Sequence, residues 1–117
     1  MIKVYYNPRC RTCRESLALL NEYKQKCMII DYIKAPISKT DLENIIILLG
    51  VSARDLIRTK DRIYKDLYSD KELSDKQCVD ILLTHPTLMQ RPIIIKENQA
   101  IIGRPAVKVL DLINCNI

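Results

Sequence analysis

The first third of the chain alternates between short apolar runs and one segment with helical spacing. Ile2–Tyr6 is a run of β-prone residues that ends at Asn7-Pro8. Over residues 12–24, apolar side chains recur at the spacing of one helix face, and residues 28–33 form a second apolar run that suits a buried strand. Because this second run follows the helix after a short connection, the pattern predicts a parallel β-α-β unit.

The middle of the chain carries helical patterns only. Ser38 is a typical helix start, and Gly50 is a typical stop after an apolar face. Further apolar residues at helical spacing predict a second stretch from about Ser52, a turn or two around residues 64–68, and a helix over residues 74–84. Since no strand pattern interrupts it, residues 38–84 are predicted to be a helical insertion into an α/β sheet.

The strand pattern returns after His85-Pro86. Residues 92–96 and 100–102 flank a turn at residues 97–99, which predicts a β-hairpin. Pro105 suits the first position of a last helix with an apolar face. The element order is therefore β-α-β, helical insertion, β-β-α, within a single domain over residues 1–117.

Composition agrees with one globular domain, since 117 residues with 48% hydrophobic and 28% charged side chains suit a single core. No apolar run approaches the roughly 18 residues of a membrane span, and the N-terminus runs directly into a strand pattern rather than a signal peptide. We therefore expect a cytoplasmic protein without membrane contact. The net charge of +5 is scattered, and every aromatic residue is Tyr, so nucleic-acid binding is not expected. A small anionic substrate suits the charge equally well.

The five cysteines are more informative, because a reducing compartment disfavours a disulfide framework. Cys10 and Cys13 lie three positions apart where the first strand gives way to the helix, whereas Cys27 suits a buried structural thiol. A zinc site needs about four ligands, and the chain has neither a second Cys-x-x-Cys nor a His pair. No bound metal is expected, and the single histidine, His85, is assigned a capping or packing role.

Cys10 has the environment of a reactive thiol. A side chain directly ahead of a helix meets the positive end of the helix dipole, and the flanking residues Arg9, Arg11 and Arg14 further favour the thiolate. Cys13, one helical turn later, points back toward it. This arrangement suits one thiol that attacks and an optional resolving thiol that releases the product.

Three further stretches each contain an arginine that is unremarkable on its own. They are "LIRTK" with Arg58, "LMQRPII" with Arg91 and "IGRPAVKVL" with Arg104. Two of these arginines precede proline at junctions of the predicted hairpin. Together the three guanidinium groups could form a fork-like cage for a tetrahedral oxyanion.

Four ordered motifs resemble those of the glutaredoxin-coupled arsenate reductase family, within the group that includes the Spx-type transcription regulators. They are "YNPRCRTCRESLALL", "LIRTKDRIYKDL", "HPTLMQRPIII" and "IIGRPAVKVL", and the resemblance covers essentially the whole chain. It implies a thioredoxin-like α/β fold with a four-stranded mixed sheet and a helical insertion at about residues 38–84. It also implies a cis peptide bond between Arg91 and Pro92.

The resemblance assigns roles to individual residues. Cys10 is the expected nucleophile, and Arg58, Arg91 and Arg104 are the expected oxyanion ligands. Apart from the resemblance, we also expect Arg14 to bind substrate. The implied substrate is arsenate, with glutathione as co-substrate, glutaredoxin or thioredoxin as partner, and no bound cofactor. We also expect a monomer.

The chain departs from the best-studied members of that family at two positions. Tyr6 is present where they carry a histidine four residues before the nucleophile, and Cys13 is present where they carry serine. The leading hypothesis is an arsenate reductase. The alternatives are an Spx-type redox regulator, which the cysteine pair favours, and a thiol reductase of another substrate. The full set of arginines favours an enzyme, because a protein-binding switch does not need it.

Overall fold

A computed structural model describes residues 1–113 of the chain. These residues form two compact units, each of which is described by itself. We call the first the sheet unit, which combines Met1–Ala35 with residues 91–113, and the second the helical unit, Pro36–Gln90. Cys115 lies outside the described residues. Within residues 1–113, no helix is both long and apolar enough to cross a membrane.

The sheet unit contains four strands, β1 (Ile2–Tyr6), β2 (Cys27–Asp31), β3 (Ile93–Lys96) and β4 (Gln99–Ile102). They form one mixed sheet with the order β2-β1-β3-β4. β1 pairs in parallel with β2 and antiparallel with β3, and β3 forms an antiparallel hairpin with β4. The predicted β-α-β unit and the predicted hairpin are both confirmed. The helices are α1 (Arg11–Glu22), α2 (Lys39–Leu49), α3 (Arg62–Leu67), α4 (Asp75–Thr84) and α5 (Val109–Ile113), with 3-10 turns at Ala53–Leu56, Pro86–Leu88 and Ala106–Lys108.

One face of this sheet packs against α1 and α5. Alternate side chains of a strand point to the same face, and the first and third residues of β1 are buried there. The cluster is almost fully buried and consists of Ile2, Val4, Leu20, Ile94, Val109 and Leu112. This packing fixes α1 against the sheet, so that the N-terminus of α1 lies just after the carboxyl end of β1.

The second strand differs from the prediction of a buried strand over residues 28–33. β2 spans Cys27–Asp31 and lies at the edge of the sheet, with Met28 47% and Ile29 50% exposed. The expectation of a buried strand was wrong because an apolar run does not reveal whether a strand is central or at an edge. Cys27 is correspondingly only half-buried.

The ends of the helices follow the predicted cap residues. The Ser38 side chain accepts a hydrogen bond from the backbone N–H of Asp41 at the start of α2, and Gly50 ends α2 with a φ of 68°. After Ser52 there is a single 3-10 turn rather than a second long stretch of helix. Pro105 precedes the 3-10 turn Ala106–Lys108 instead of occupying its first position, and regular helix starts only at Val109.

Candidate active site

The loop between β1 and α1 is shaped by Asn7. Its side-chain oxygen accepts a hydrogen bond from the backbone N–H of Arg9 at 3.0 Å, and its carbonyl accepts one from the N–H of Cys10 at 2.9 Å. An asparagine that bonds to the backbone two residues later closes a tight turn. Asn7 is buried, so its polar groups need these partners. The turn delivers Cys10 directly to the start of α1.

Cys10 is the N-cap residue of α1. Its Sγ accepts a hydrogen bond from the backbone N–H of Cys13 at 3.3 Å, as a capping side chain does. The sulfur therefore lies at the positive end of the helix dipole, which stabilises a negative charge. The residue is only 4% exposed, so a thiolate here depends on protein groups rather than on water.

The pKa of Cys10 lies below its ordinary value of 9.0. Burial raises the pKa, but hydrogen bonds from the side chain and backbone of Cys13 lower it, as do the hydrogen bond and positive charge of Arg91. Burial raises the pKa of the Cys27 and Cys78 thiols. Cys10 is thus the one cysteine within residues 1–113 whose surroundings favour the thiolate, in agreement with the expectation for the nucleophile.

Two arginines approach this sulfur from the ends of the hairpin. Arg91 precedes β3 and lowers the pKa of Cys10, while Nη2 of Arg104, just after β4, lies 3.7 Å from Cys10 Sγ. Nε of Arg104 donates to the backbone carbonyl of Arg91 at 3.4 Å, so the two residues are also linked to each other. Each precedes a proline in a cis peptide bond. The family resemblance implied only the bond between Arg91 and Pro92. The structure thus brings Cys10, Arg91 and Arg104 together.

The positive charge that acts on Cys10 comes from a different arginine than the sequence indicated. Arg11 has a side chain that is 87% exposed and lies 3.7 Å from Glu15. Nη1 of Arg14 donates to the backbone carbonyl of Pro8 at 2.9 Å and is exposed. Arg91, distant in sequence, supplies the charge that lowers the pKa. The role of Arg14 in substrate binding stays a prediction.

Arg58 belongs to the helical unit, where its own contacts hold it. Nη1 lies 3.4 Å from a carboxylate oxygen of Asp61 and 3.4 Å from the backbone carbonyl of Thr87. Its backbone N–H donates to the carbonyl of Leu88 at 2.7 Å. These contacts fix the position of Arg58 within the helical unit. Its place in the oxyanion cage stays a prediction.

Cys13 is fully buried, and burial together with the neighbouring Cys10 raises its pKa to about 12. At neutral pH it is therefore a protonated thiol. A protonated thiol can donate its hydrogen to the Cys10 thiolate, and this hydrogen bond is one cause of the lowered pKa of Cys10. Cys13 supports the nucleophile in the resting state, whereas a resolving role requires it to lose its proton first.

The high pKa of Cys13 leads to a prediction about pH. If Cys13 displaces arsenic from an adduct on Cys10, the rate of internal disulfide formation should rise about tenfold per pH unit between roughly pH 7 and 9, because the thiolate fraction rises by that factor below the pKa. The measurement is intact mass after one turnover with arsenate and without glutathione, where the disulfide appears as the loss of two hydrogens. Cys13→Ser is the control. A pH-independent rate, or an unchanged glutathione requirement in the variant, contradicts the resolving role.

No set of three or more His, Cys, Asp or Glu side chains is placed to hold a metal ion anywhere in residues 1–113. The four described cysteines, Cys10, Cys13, Cys27 and Cys78, are all free thiols. A free Cys10 thiol with a lowered pKa can act as a nucleophile.

The sequence of the chain was compared with family models and with known proteins. The model of the ArsC family matches residues 5–112. The chain belongs to the ArsC family. It is 37% identical over 112 residues to the arsenate reductase of Haemophilus influenzae, covering 94% of this chain and 97% of that protein. It is 36% identical over 106 residues to an arsenate reductase of Neisseria meningitidis, covering 89% and 91%.

A solved structure, the arsenate reductase from Vibrio cholerae, superimposes with a TM-score of 0.89 at 35% identity and covers 94% of this chain and 95% of that one. The predicted thioredoxin-like α/β fold is thereby confirmed, together with its four-stranded mixed sheet. Membership of the ArsC family also confirms the resemblance drawn from the four motifs.

Within this ArsC-family chain, His85 has the surroundings of a structural residue. It follows α4, and Tyr68 Oη lies 3.1 Å from its Nε2, with the two rings packed edge to face. We expect His85→Ala to lower the melting temperature by several degrees, since removing one hydrogen bond typically costs about 1 kcal/mol, while the pH dependence of Cys10 alkylation stays unchanged. Calorimetry and iodoacetamide labelling measure the two effects. A selective change in Cys10 reactivity at an unchanged melting temperature contradicts the structural role.

Proposed function

We propose that this ArsC-family protein is an arsenate reductase, an oxidoreductase that converts arsenate to arsenite. The observation that carries the proposal is the Cys10 sulfur, whose pKa is lowered at the N-terminus of α1 and which lies 3.7 Å from the guanidinium of Arg104. A thiolate paired with guanidinium groups suits an anionic electrophile. Relatives named arsenate reductase, at 36 to 37% identity, support the same substrate.

The first chemical step is attack of the Cys10 thiolate on arsenic. A sulfur–arsenic bond forms, one arsenic–oxygen bond breaks, and the oxygen leaves as water after it has taken up protons. Arg91 and Arg104 neutralise the remaining arsenate oxygens, whose negative charge otherwise repels the thiolate. Arg58 and Arg14 are proposed as further ligands of the same oxyanion.

The second step supplies the two electrons. A second thiolate attacks the Cys10 sulfur, a disulfide bond forms, and the electron pair of the sulfur–arsenic bond moves to arsenic, which leaves as arsenite. Two thiols are oxidised and one arsenic is reduced, so the electrons balance without a bound cofactor. We assign glutathione as the second thiol, because Cys13 with a pKa of about 12 is protonated at neutral pH.

Recycling completes the proposal. A mixed disulfide between Cys10 and glutathione is a substrate for glutaredoxin, and an internal disulfide with Cys13 is a substrate for thioredoxin or glutaredoxin. Both routes need the reducing thiol pool of the cytoplasm, where we place the protein. We propose that it acts as a monomer and binds neither nucleic acid nor membrane.

The test is a coupled assay that follows NADPH oxidation in the presence of glutathione, glutaredoxin and glutathione reductase. We expect oxidation that depends on arsenate and stops when either glutathione or the protein is left out. Phosphate in place of arsenate is the control, since it has the same shape and charge but is not reduced. If Cys10 reacts with iodoacetamide but NADPH oxidation does not depend on arsenate, the proposal is contradicted. That result favours a thiol reductase of another substrate.

A further inference from the structure

Ser16 is a buried polar residue on the apolar side of α1. It is 0% exposed and lies between Cys13 and Leu20, the two other fully buried residues of this helix. Its hydroxyl donates a hydrogen bond to the backbone carbonyl of Gly103 at 3.1 Å, across 87 residues of sequence. A buried hydroxyl without a partner is costly, and this hydrogen bond removes that cost. It also joins α1 to the residue that precedes Arg104.

Gly103 is held from both sides. Its N–H donates to the carbonyl of Pro92 at 2.9 Å, while its own carbonyl accepts from Ser16. An added Cβ at this glycine would lie 2.8 Å from Ser16 Oγ and 3.0 Å from side-chain atoms of Ile94 and Pro92. A side chain at position 103 would therefore have to displace the Ser16 hydroxyl, and glycine avoids this. Through Gly103, the helix that begins at Cys10 is joined to both chain segments that carry the arginines.

Arg104 comes directly after this anchored residue. Its N–H donates to the carbonyl of Ile102 at 2.9 Å, its Nε donates to the carbonyl of Arg91, and its Nη2 reaches Cys10 Sγ. We propose that Ser16 is a positioning residue, which fixes Gly103 against α1 and thereby holds the Arg104 guanidinium against the Cys10 sulfur. Only the arsenate-turnover test of Ser16 rests on the proposed function. The positive charge next to the Cys10 sulfur can be measured without arsenate.

The local charge at Cys10 can be measured without arsenate. Iodoacetate and iodoacetamide alkylate the same thiolate, but iodoacetate is an anion that the nearby guanidinium groups attract, so the ratio of their rates reports the positive charge at the sulfur. We expect Ser16→Ala to lower this ratio about fivefold, as Arg104→Ala does, because the first change displaces the Arg104 guanidinium from the sulfur and the second removes it. In the coupled assay, kcat/KM for arsenate should fall roughly tenfold to a hundredfold, the usual effect of a displaced catalytic group.

A double-mutant cycle separates positioning from general destabilisation. If Ser16 acts through Arg104, Ser16→Ala should have no further effect on the ratio in an Arg104→Ala background. Ser16→Cys keeps a similar volume and a weaker donor, so we expect a ratio between those of serine and alanine. The same cycle is run with Ser16→Cys should Ser16→Ala fail to fold.

The matched control is Val109→Ala, which removes buried packing from α5 in the same sheet unit and leaves the hydrogen bond between Ser16 and Gly103 in place. It should lower the melting temperature and leave the alkylation ratio unchanged. Additive effects of Ser16→Ala and Arg104→Ala, or an equal change of ratio in Val109→Ala, overturn the positioning role. If the wild-type protein does not reduce arsenate, the proposed function fails, and the alkylation cycle still decides the role of Ser16.

Discussion

Cys10→Ser should abolish arsenate reduction, with turnover falling by at least roughly a thousandfold to the background of the assay, because a serine hydroxyl is a far weaker nucleophile than a thiolate. The replacement keeps the N-cap geometry, since serine caps helices well, so the fold should survive. The measurement is the coupled NADPH assay together with circular dichroism. An intact fold without turnover is the expected combination.

The controls for this prediction are the other described thiols outside the site. Burial raises the pKa of Cys27 and Cys78, so neither is a thiolate at neutral pH. We expect Cys27→Ser and Cys78→Ser to keep nearly all of the turnover per folded molecule. Cys78 is fully buried in α4. The melting temperature of Cys78→Ser is therefore measured first, and its turnover is compared with that of the wild type per folded molecule. Equal loss of turnover in all three variants contradicts Cys10 as the nucleophile.

Arg91→Ala and Arg104→Ala should each reduce kcat/KM for arsenate by roughly a hundredfold or more, because one well-placed donor to a developing oxyanion contributes on the order of 3 kcal/mol. Arg91→Ala should have a second effect. The Arg91 side chain lowers the pKa of Cys10, so its removal raises that pKa, and less thiolate is present at neutral pH. The pH profile of Cys10 alkylation should therefore move to higher pH in this variant.

A matched control for the arginines is Arg11→Ala, which removes a guanidinium that is 87% exposed and lies next to Cys10 in sequence. We expect its kcat/KM to change by less than about twofold, as most exposed charges contribute little.

Arg58→Ala should act mainly after the first adduct has formed, so a burst of adduct should persist while steady turnover falls. Normal rates in Arg91→Ala, Arg104→Ala and Arg58→Ala together would falsify the oxyanion cage.

Much of the fold was predictable because its determinants are local. Local neighbours within a few residues determine the β-prone run of β1, the cap residues Ser38 and Gly50, and the turn between β3 and β4. The position of Cys10 at a helix start was predictable for the same reason. These features come from backbone geometry and side-chain size, which act at short range along the chain.

The remaining features depend on contacts between distant residues. The edge position of β2 follows from the strand order, and the charge at Cys10 comes from a residue 81 positions away rather than from its neighbours. The high pKa of Cys13 follows from its complete burial and from the neighbouring Cys10. Sequence spacing could show that the two cysteines are close, but it could not show that one of them is protonated.

One edge of the inner strand β1 pairs with a strand from much later in the chain, since Lys3 of β1 lies opposite Ile95 of β3. During synthesis at about 5–20 residues per second, residues 36–93 take roughly 3–12 s, and one edge of β1 has no partner in that interval. Arg91 is made only at the end of this interval, and Arg104 follows after it. A nascent chain on the ribosome therefore lacks the contribution of Arg91 to the lowered pKa of Cys10, and this contribution arises only when the last strands join the sheet.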